Sequence, residues 1–207
     1  MTPIAPVTLR DAVVVLEPLS LDHVAALWAA AAARETYALT SVPASLDGMR
    51  AFVETALSEQ ERGVSVPLAT RDARADRVVG CTRFMNIERW TWRVPTTLQR
   101  APEHADAVEI GSTWLAQTAQ RTGINTHAKL LMLGHAFESW EVRRVTLKTD
   151  ARNLRSRSAI ERIGAKLDGV LRAHMPAFDG GVRDTAFYSI VAPEWPAVKE
   201  RLRAMAR

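Results

Sequence analysis

The chain has 207 residues, 47% of them hydrophobic and 24% charged, with a formal net charge of +4. That balance excludes a disordered or fibrous chain and describes one ordinary globular domain able to bury its own core, so a single domain over residues 1–207 is expected. One cysteine, Cys81, excludes an internal disulfide and a cysteine-based zinc site, and it fits a reducing, cytoplasmic setting. Five scattered histidines form no metal-ligand pattern, so no metal is expected.

Residues 1–16 lack the basic and apolar regions of a secretory signal, and no apolar run approaches the ~20 residues of a membrane span. No membrane contact is expected. The positive excess is mild and dispersed. Direct nucleic-acid recognition would call for denser clusters or a known motif, so the charge is better suited to attracting an anionic ligand.

In chain order, a strand is expected over residues 8–16, ended by Pro18. The alanine-rich segment 25–33 reads as a helix with Ser20 as its N-cap. Met49, Phe52, Val53, Ala56 and Leu57 fall at helical spacing and predict a second helix over residues 46–61, stopped by Gly63. Strands over 64–70 and 78–85 flank a polar turn, 71–76. Residues 88–104 form a long loop. Its Trp90 and Trp92, with Tyr37 and Phe84, are candidates for an acceptor pocket, and core plugs or a homodimer contact are the alternatives.

A strand over 107–115 is expected to place Val108, Ile110, Ser112 and Trp114 on one face. Ala107, Glu109, Gly111 and Thr113 fall on the other. A polar break at 117–123 leads into a helix over 126–140. Then come a strand at 144–149, a helix at 154–163 closed by Gly164, and strands at 166–175 and 183–191 around the turn Asp179-Gly180-Gly181. Pro193 opens a last, basic helix. The fold class is therefore α/β (α+β), a mixed β-sheet flanked by helices.

The segment Gln120, Arg121, Thr122, Gly123, Ile124, Asn125, Thr126 joins a strand to a helix. Unpaired amides and the helix dipole at such a start make an anion site, although an ordinary strand-to-helix turn fits the same residues. Gln120-x-x-Gly123-x-Asn125, followed by Asn153-Leu154-Arg155-Ser156 and Glu161-Arg162-Ile163-Gly164-Ala165, resembles the paired motifs of the GNAT N-acyltransferases. The runs Glu109-Ile110-Gly111, His135-Ala136-Phe137-Glu138 and Gly169-Val170-Leu171-Arg172 resemble the branch of ribosomal-protein alanine N-acetyltransferases. So does the ending from Arg183-Asp184 to Glu194-Trp195-Pro196.

That resemblance implies a splayed sheet and transfer of an acetyl or other short acyl group from coenzyme A to a primary amine. The acceptor it implies is a protein N-terminus or a small molecule. The backbone from Arg121 to Thr126 would hold the diphosphate of acetyl-CoA. The strand edge of Ile110, Gly111, Ser112 and Thr113 would pair with the pantetheine arm, and Asn153 would hydrogen-bond it. Arg157 or Arg162 would reach an adenosine phosphate, the alternative for each being a solvated surface arginine. Asn125 stands where the motif has a second small residue, and asparagine tolerates left-handed geometry.

Ile160 stands where many relatives carry a tyrosine acid. Ser156, on the same helical face, is the substitute proton donor, or else a residue that merely starts the helix. Glu109 is the first candidate base, with a structural carboxylate paired to an arginine as the alternative. His174 is the second candidate base, and His104 and His127 are weaker. A non-catalytic acyl-CoA sensor and a ribosome-associated protein with a vestigial site are the rival functions.

Overall fold

The computed structural model describes residues 2–207. Eight strands form one sheet in the order β1-β2-β3-β4-β5-β6-β8-β7. They are β1 (Leu9–Arg10), β2 (Val14–Pro18), β3 (Ser65–Asp72), β4 (Arg77–Glu88), β5 (Ala107–Leu115), β6 (Arg144–Asp150), β7 (Lys166–Pro176) and β8 (Val182–Val191). All neighbours are antiparallel except β5 and β6.

Residues 8–16 are two short strands rather than one. The Asp11 carboxylate accepts hydrogen bonds from the amides of Val13 (2.8 Å) and Val14 (2.9 Å) and folds the chain back on itself. Pro18 closes β2 from inside the ladder, opposite Leu68. The helix expected at 25–33 is α1 (Val24–Ala30), entered through a 3-10 turn, Leu21–His23, that Ser20 caps. Its partner α2 (Leu46–Glu61) starts where Ser45 Oγ accepts from the Gly48 amide at 3.0 Å, and it buries Met49, Val53 and Ala56. Both helices pack on one face of the sheet, over Ala69, Cys81 and Trp114.

The other face carries α3 (Ile124–Gly134), α4 (Leu154–Arg162) and α5 (Trp195–Met205). Ala128, Met132, Ile160, Ile163, Val198 and Leu202 close there on Val108, Ile110, Val145 and Leu147. The α-helical part of α3 stops at Gly134, and the rest of the expected helix is a π-turn, His135–Ser139. Pro193 lies in a 3-10 turn, and α5 begins at Trp195.

β5 departs from simple alternation. Ser112 has φ +48°, and the register against β4 shifts between Cys81 and Arg83. This bulge inserts a residue and reverses the faces that follow it. Thr113 therefore turns toward α3, while Trp114 joins the core under α1 and α2, opposite to the face shared with Val108 and Ile110.

On its other side β5 meets β6 only at Ala107↔Arg144, Val108↔Val145 and Glu109↔Thr146. Beyond Glu109 the strands part, and β6 continues paired with β8 as far as Asp150↔Thr185. The sheet is splayed at its centre.

Candidate active site

The parting leaves the β6-facing edge of Ile110, Gly111, Ser112 and Thr113 without a strand beside it. At the mouth of the gap the chain runs through Gln120, Arg121 and Thr122 to Gly123, the N-cap of α3. Arg121 (φ +64°) and Gly123 (φ +89°) take the left-handed conformations of this loop. Asn125 is already helical, in the first turn of α3, so the expectation of left-handed geometry there is corrected. Gly123 needs its freedom for this φ, and a Cβ built on it would meet only the His127 ring, at 3.9 Å. The space beside the Gly123 Cα is open. A helix start with free amides and open space suits a diphosphate, so the residues present fit acetyl-CoA.

Side chains hold the loop in place. Gln120 donates to the Leu115 carbonyl (3.0 Å) at the end of β5 and accepts from Arg155 (3.1 Å). Thr122 donates to the Ala119 carbonyl at 2.7 Å. His127 pairs with Asp11 at 2.7 Å. Burial works to raise the Asp11 carboxyl, but the hydrogen bonds from His127 and the two strand-turn amides outweigh it and hold the group below its usual range.

Across the gap, Asn153 Oδ1 accepts from the Ser156 amide at 3.0 Å and caps α4. Only the Nδ2 end of Asn153 remains for a ligand. Ser156 is half-buried on the side of Ile160, and its hydroxyl has no hydrogen-bond partner among the described residues. Arg155 spans the mouth, joining Gln120 on one side to the Thr36 carbonyl (2.9 Å). Arg162 reaches Thr126 in α3 at 3.4 Å. Arg157 turns inward to Tyr188 Oη at 2.9 Å and to the Ala151 carbonyl and ties α4 to β8.

On the opposite face a cleft of about 310 Å³ opens at the apex of the splay, lined by Asn86, Glu88, Glu109, Arg144, Thr146, Lys148, His174 and Phe187. The two candidate bases thus meet in one cavity. Glu109 is 5% exposed, and its Oε2 is held by Lys148 (2.9 Å) and Asn86 (2.8 Å). Its cation is a lysine from β6 rather than the arginine envisaged. Oε1 leans over Gly111, where an added Cβ would lie 2.8 Å from it and from Met85 Sδ. Glycine at 111 is what leaves room for the carboxylate. His174 is exposed at the cleft wall, with Nδ1 3.1 Å from Thr185 Oγ1 and its ring edge-on to Phe187.

The four aromatics considered for an acceptor pocket do not assemble. Phe84 is buried against Trp140, and Tyr37 is buried edge-on to Trp114, with its hydroxyl on the Leu115 carbonyl at 3.0 Å. Trp90 and Trp92 lie exposed on a loop pinned by buried Asp106, which takes the Trp90 amide and the Arg143 guanidinium. His104 lies in that loop, outside the cleft.

Sequence reading missed Lys148, Asn86 and Arg155. Lys148 carried a signal, because Arg144, Thr146 and Lys148 alternate with apolar Val145 and Leu147. Asn86 carried none, since it reaches Glu109 only because a bulge gives it φ +47°. Among the described residues no cluster of His, Cys, Asp or Glu could hold a metal ion, and no helix is long and apolar enough to cross a membrane.

Splayed sheet, amide loop and capped helix define an acyl-CoA acyltransferase architecture, and residues 14–166 match the acetyltransferase (GNAT) domain. The chain belongs to the GNAT acetyltransferase family. It is similar to a crystal structure from T. thermophilus provisionally assigned as an acetyltransferase. The identity is 32% over 99% of both chains, with a TM-score of 0.79. YdaF of Bacillus subtilis (strain 168), whose name provisionally assigns it as a ribosomal N-acetyltransferase, is 34% identical over 91 residues. That match covers 44% of this chain and 49% of YdaF, so the chain spans about half the length of this curated relative. Mycobacterium smegmatis RimJ, solved with CoA-disulfide, shares the fold at 22% identity over 99% of this chain and 96% of its own, with a TM-score of 0.74.

Proposed function

We propose that this chain transfers an acetyl group from acetyl-CoA to a primary amine, with the free N-terminus of a protein as first acceptor. The observation that carries the reading is the parting of β5 from β6 directly after Glu109↔Thr146. It leaves an open strand edge between an amide loop on one side and a buried carboxylate on the other. YdaF, whose name refers to ribosomal acetylation, supports the acceptor class.

Acetyl-CoA supplies an activated thioester. The amides from Arg121 to Thr126 hold its diphosphate, the edge at Ile110 to Thr113 aligns the pantetheine arm, and Asn153 Nδ2 hydrogen-bonds it. Glu109 Oε1, left without a hydrogen-bond partner among the described residues, takes the proton of the incoming ammonium directly or through one water. Lys148 and Asn86 fix the carboxylate for that task by holding its other oxygen. His174 stands at the cleft wall as second base. Ser156 gives its proton to the departing sulfur, and a weak acid suffices because a thiolate already leaves readily. A backbone N–H near the β5 bulge steadies the oxyanion, and much of the rate comes from holding both substrates in register.

A small-molecule amine is the second reading. The cleft's volume of about 310 Å³ sits at the low end of ligand pockets. Thiol release from acetyl-CoA, measured with peptides bearing free N-terminal Ala, Ser or Met and with polyamines and amino sugars, separates the two. Turnover on peptides supports the first, and turnover confined to small amines replaces it with the second. Saturable acetyl-CoA binding without turnover on any of them makes the chain a sensor.

A further inference from the structure

Behind the bulge of β5, on the α3 side, lies a lysine that the reaction as described does not use. Lys129 is 5% exposed, and no carboxylate among the described residues pairs with it. Its Nζ donates to Thr113 Oγ1 at 2.9 Å and to Thr82 Oγ1 at 3.5 Å, and the two hydroxyls lie 2.7 Å apart. Both hydroxyls also reach the Gly111 carbonyl, at 3.5 and 3.4 Å. Lys129 from α3 thus reaches the peptide that leads into left-handed Ser112 through the hydroxyls of Thr82 (β4) and Thr113 (β5), one of which donates to the other while the second is left to donate to the Gly111 carbonyl.

Filling this volume does not require an amine. An ammonium taken out of water with only hydroxyl partners is costly, and an apolar side chain of the same length fills the site without that cost. Burial pushes the Lys129 pKa down to about 7. Retaining so expensive a group makes physical sense where its direction matters, and its direction is toward the one stretch of β5 that is both bulged and open to the gap.

We propose that Lys129 is a positioning residue for acyl transfer. Through Thr82 and Thr113 it holds the Gly111–Ser112 peptide in the kinked form that the open edge of β5 presents to the thioester. The proposal rests on the acetyl-transfer reading.

The test is Lys129→Met, with Thr113→Val and Thr113→Ser beside it, assayed with acetyl-CoA and an N-terminal alanine peptide. Lys129→Met is expected to keep or raise the melting temperature and to leave KM for acetyl-CoA within about twofold, while kcat falls about tenfold or more, the pattern of lost positioning. Thr113→Val is expected to follow in the same direction, and Thr113→Ser, which keeps the hydroxyl, to recover most of the rate. Unchanged kcat in Lys129→Met overturns the proposal. So does a rate loss accompanied by an equal loss of folded protein, because the lysine then only supports the core.

A crystal structure of Lys129→Met needs no acceptor. Ser112 leaving the left-handed region supports the role, and an unchanged bulge overturns it. If wild-type protein fails to acetylate the peptide, that result strikes the acceptor assignment, and the crystallographic comparison still decides Lys129.

Discussion

The two halves of the site are built from different materials. The cradle at the start of α3 is main chain: amides, a left-handed glycine and a helix end, arranged within one short run from Gln120 to Thr126. The cleft at the apex of the splay is side chain: Asn86 from β4, Glu109 from β5, Lys148 from β6 and His174 from β7. A diphosphate is the same in every reaction that uses acetyl-CoA, so a backbone shape can serve it. An acceptor differs from enzyme to enzyme, and its recognition falls to side chains that substitution can change without disturbing the fold.

The contrast breaks first at Glu109. Glu109→Gln keeps the shape of the cleft and the contact with Asn86 but removes the carboxylate proposed as base, so kcat/KM is expected to fall about a hundredfold or more. The acid limb of the pH–rate profile should change with it while acetyl-CoA affinity holds. A wild-type acid limb passes the role to His174 or to a water chain. A large drop in melting temperature with an unaltered profile makes Glu109 a structural partner of Lys148.

A matched pair of substitutions sharpens the comparison. Gly111→Ala places a methyl 2.8 Å from Glu109 Oε1 and Met85 Sδ, and the carboxylate has to move. Displacement of a catalytic group by about an ångström costs up to about a hundredfold, here in kcat. Gly123→Ala meets no such obstacle, since its new methyl finds only His127 at 3.9 Å. Its cost is backbone strain of about 1–2 kcal/mol at φ +89°. That strain should appear as a rise of up to about tenfold in KM for acetyl-CoA, with kcat nearly unchanged. Steady-state kinetics on both variants reads the split, and equal effects on kcat and KM in both would erase the distinction between cradle and cleft.

The same contrast explains what could be read in advance. Gly123 and Asn153 each act through local backbone geometry, a turn and a cap, and local geometry leaves its mark in spacing. The apolar spacing of α2 is visible for the same reason. What escaped depends on contacts between distant segments or on breaks in periodicity. Residues 8–16 alternate well enough for one strand, and only the Asp11 side chain turns them back. The bulge at Ser112 carries no sequence mark, so Trp114 was assigned to the wrong face. Lys148 meets Glu109 because β5 and β6 are neighbours before they part, a fact of topology rather than of pattern.

Ser156→Ala tests the side of the gap facing the sulfur. The half-buried hydroxyl caps nothing, because the cap is Asn153, so stability should hold within about 0.5 kcal/mol. If Ser156 delivers the proton, kcat is expected to fall about tenfold, below the usual range for acid–base groups because the leaving thiolate needs little help. An unchanged turnover number removes it from the chemistry.

Asn153 gives the smallest effect and belongs to both worlds, since its Oδ1 caps α4 and its Nδ2 has no hydrogen-bond partner among the described residues. Asn153→Ala loses both functions, with about 1 kcal/mol of stability from the cap and weaker acetyl-CoA binding. Asn153→Asp separates them, because aspartate caps a helix as well as asparagine does but has no amide to donate. Its melting temperature should match wild type, while acetyl-CoA affinity falls about fivefold, the worth of one hydrogen bond. Calorimetry reads the binding and thermal unfolding reads the cap. If Asn153→Asp binds acetyl-CoA as wild type does, the residue is a cap alone, and the pantetheine arm is held entirely by the open edge of β5.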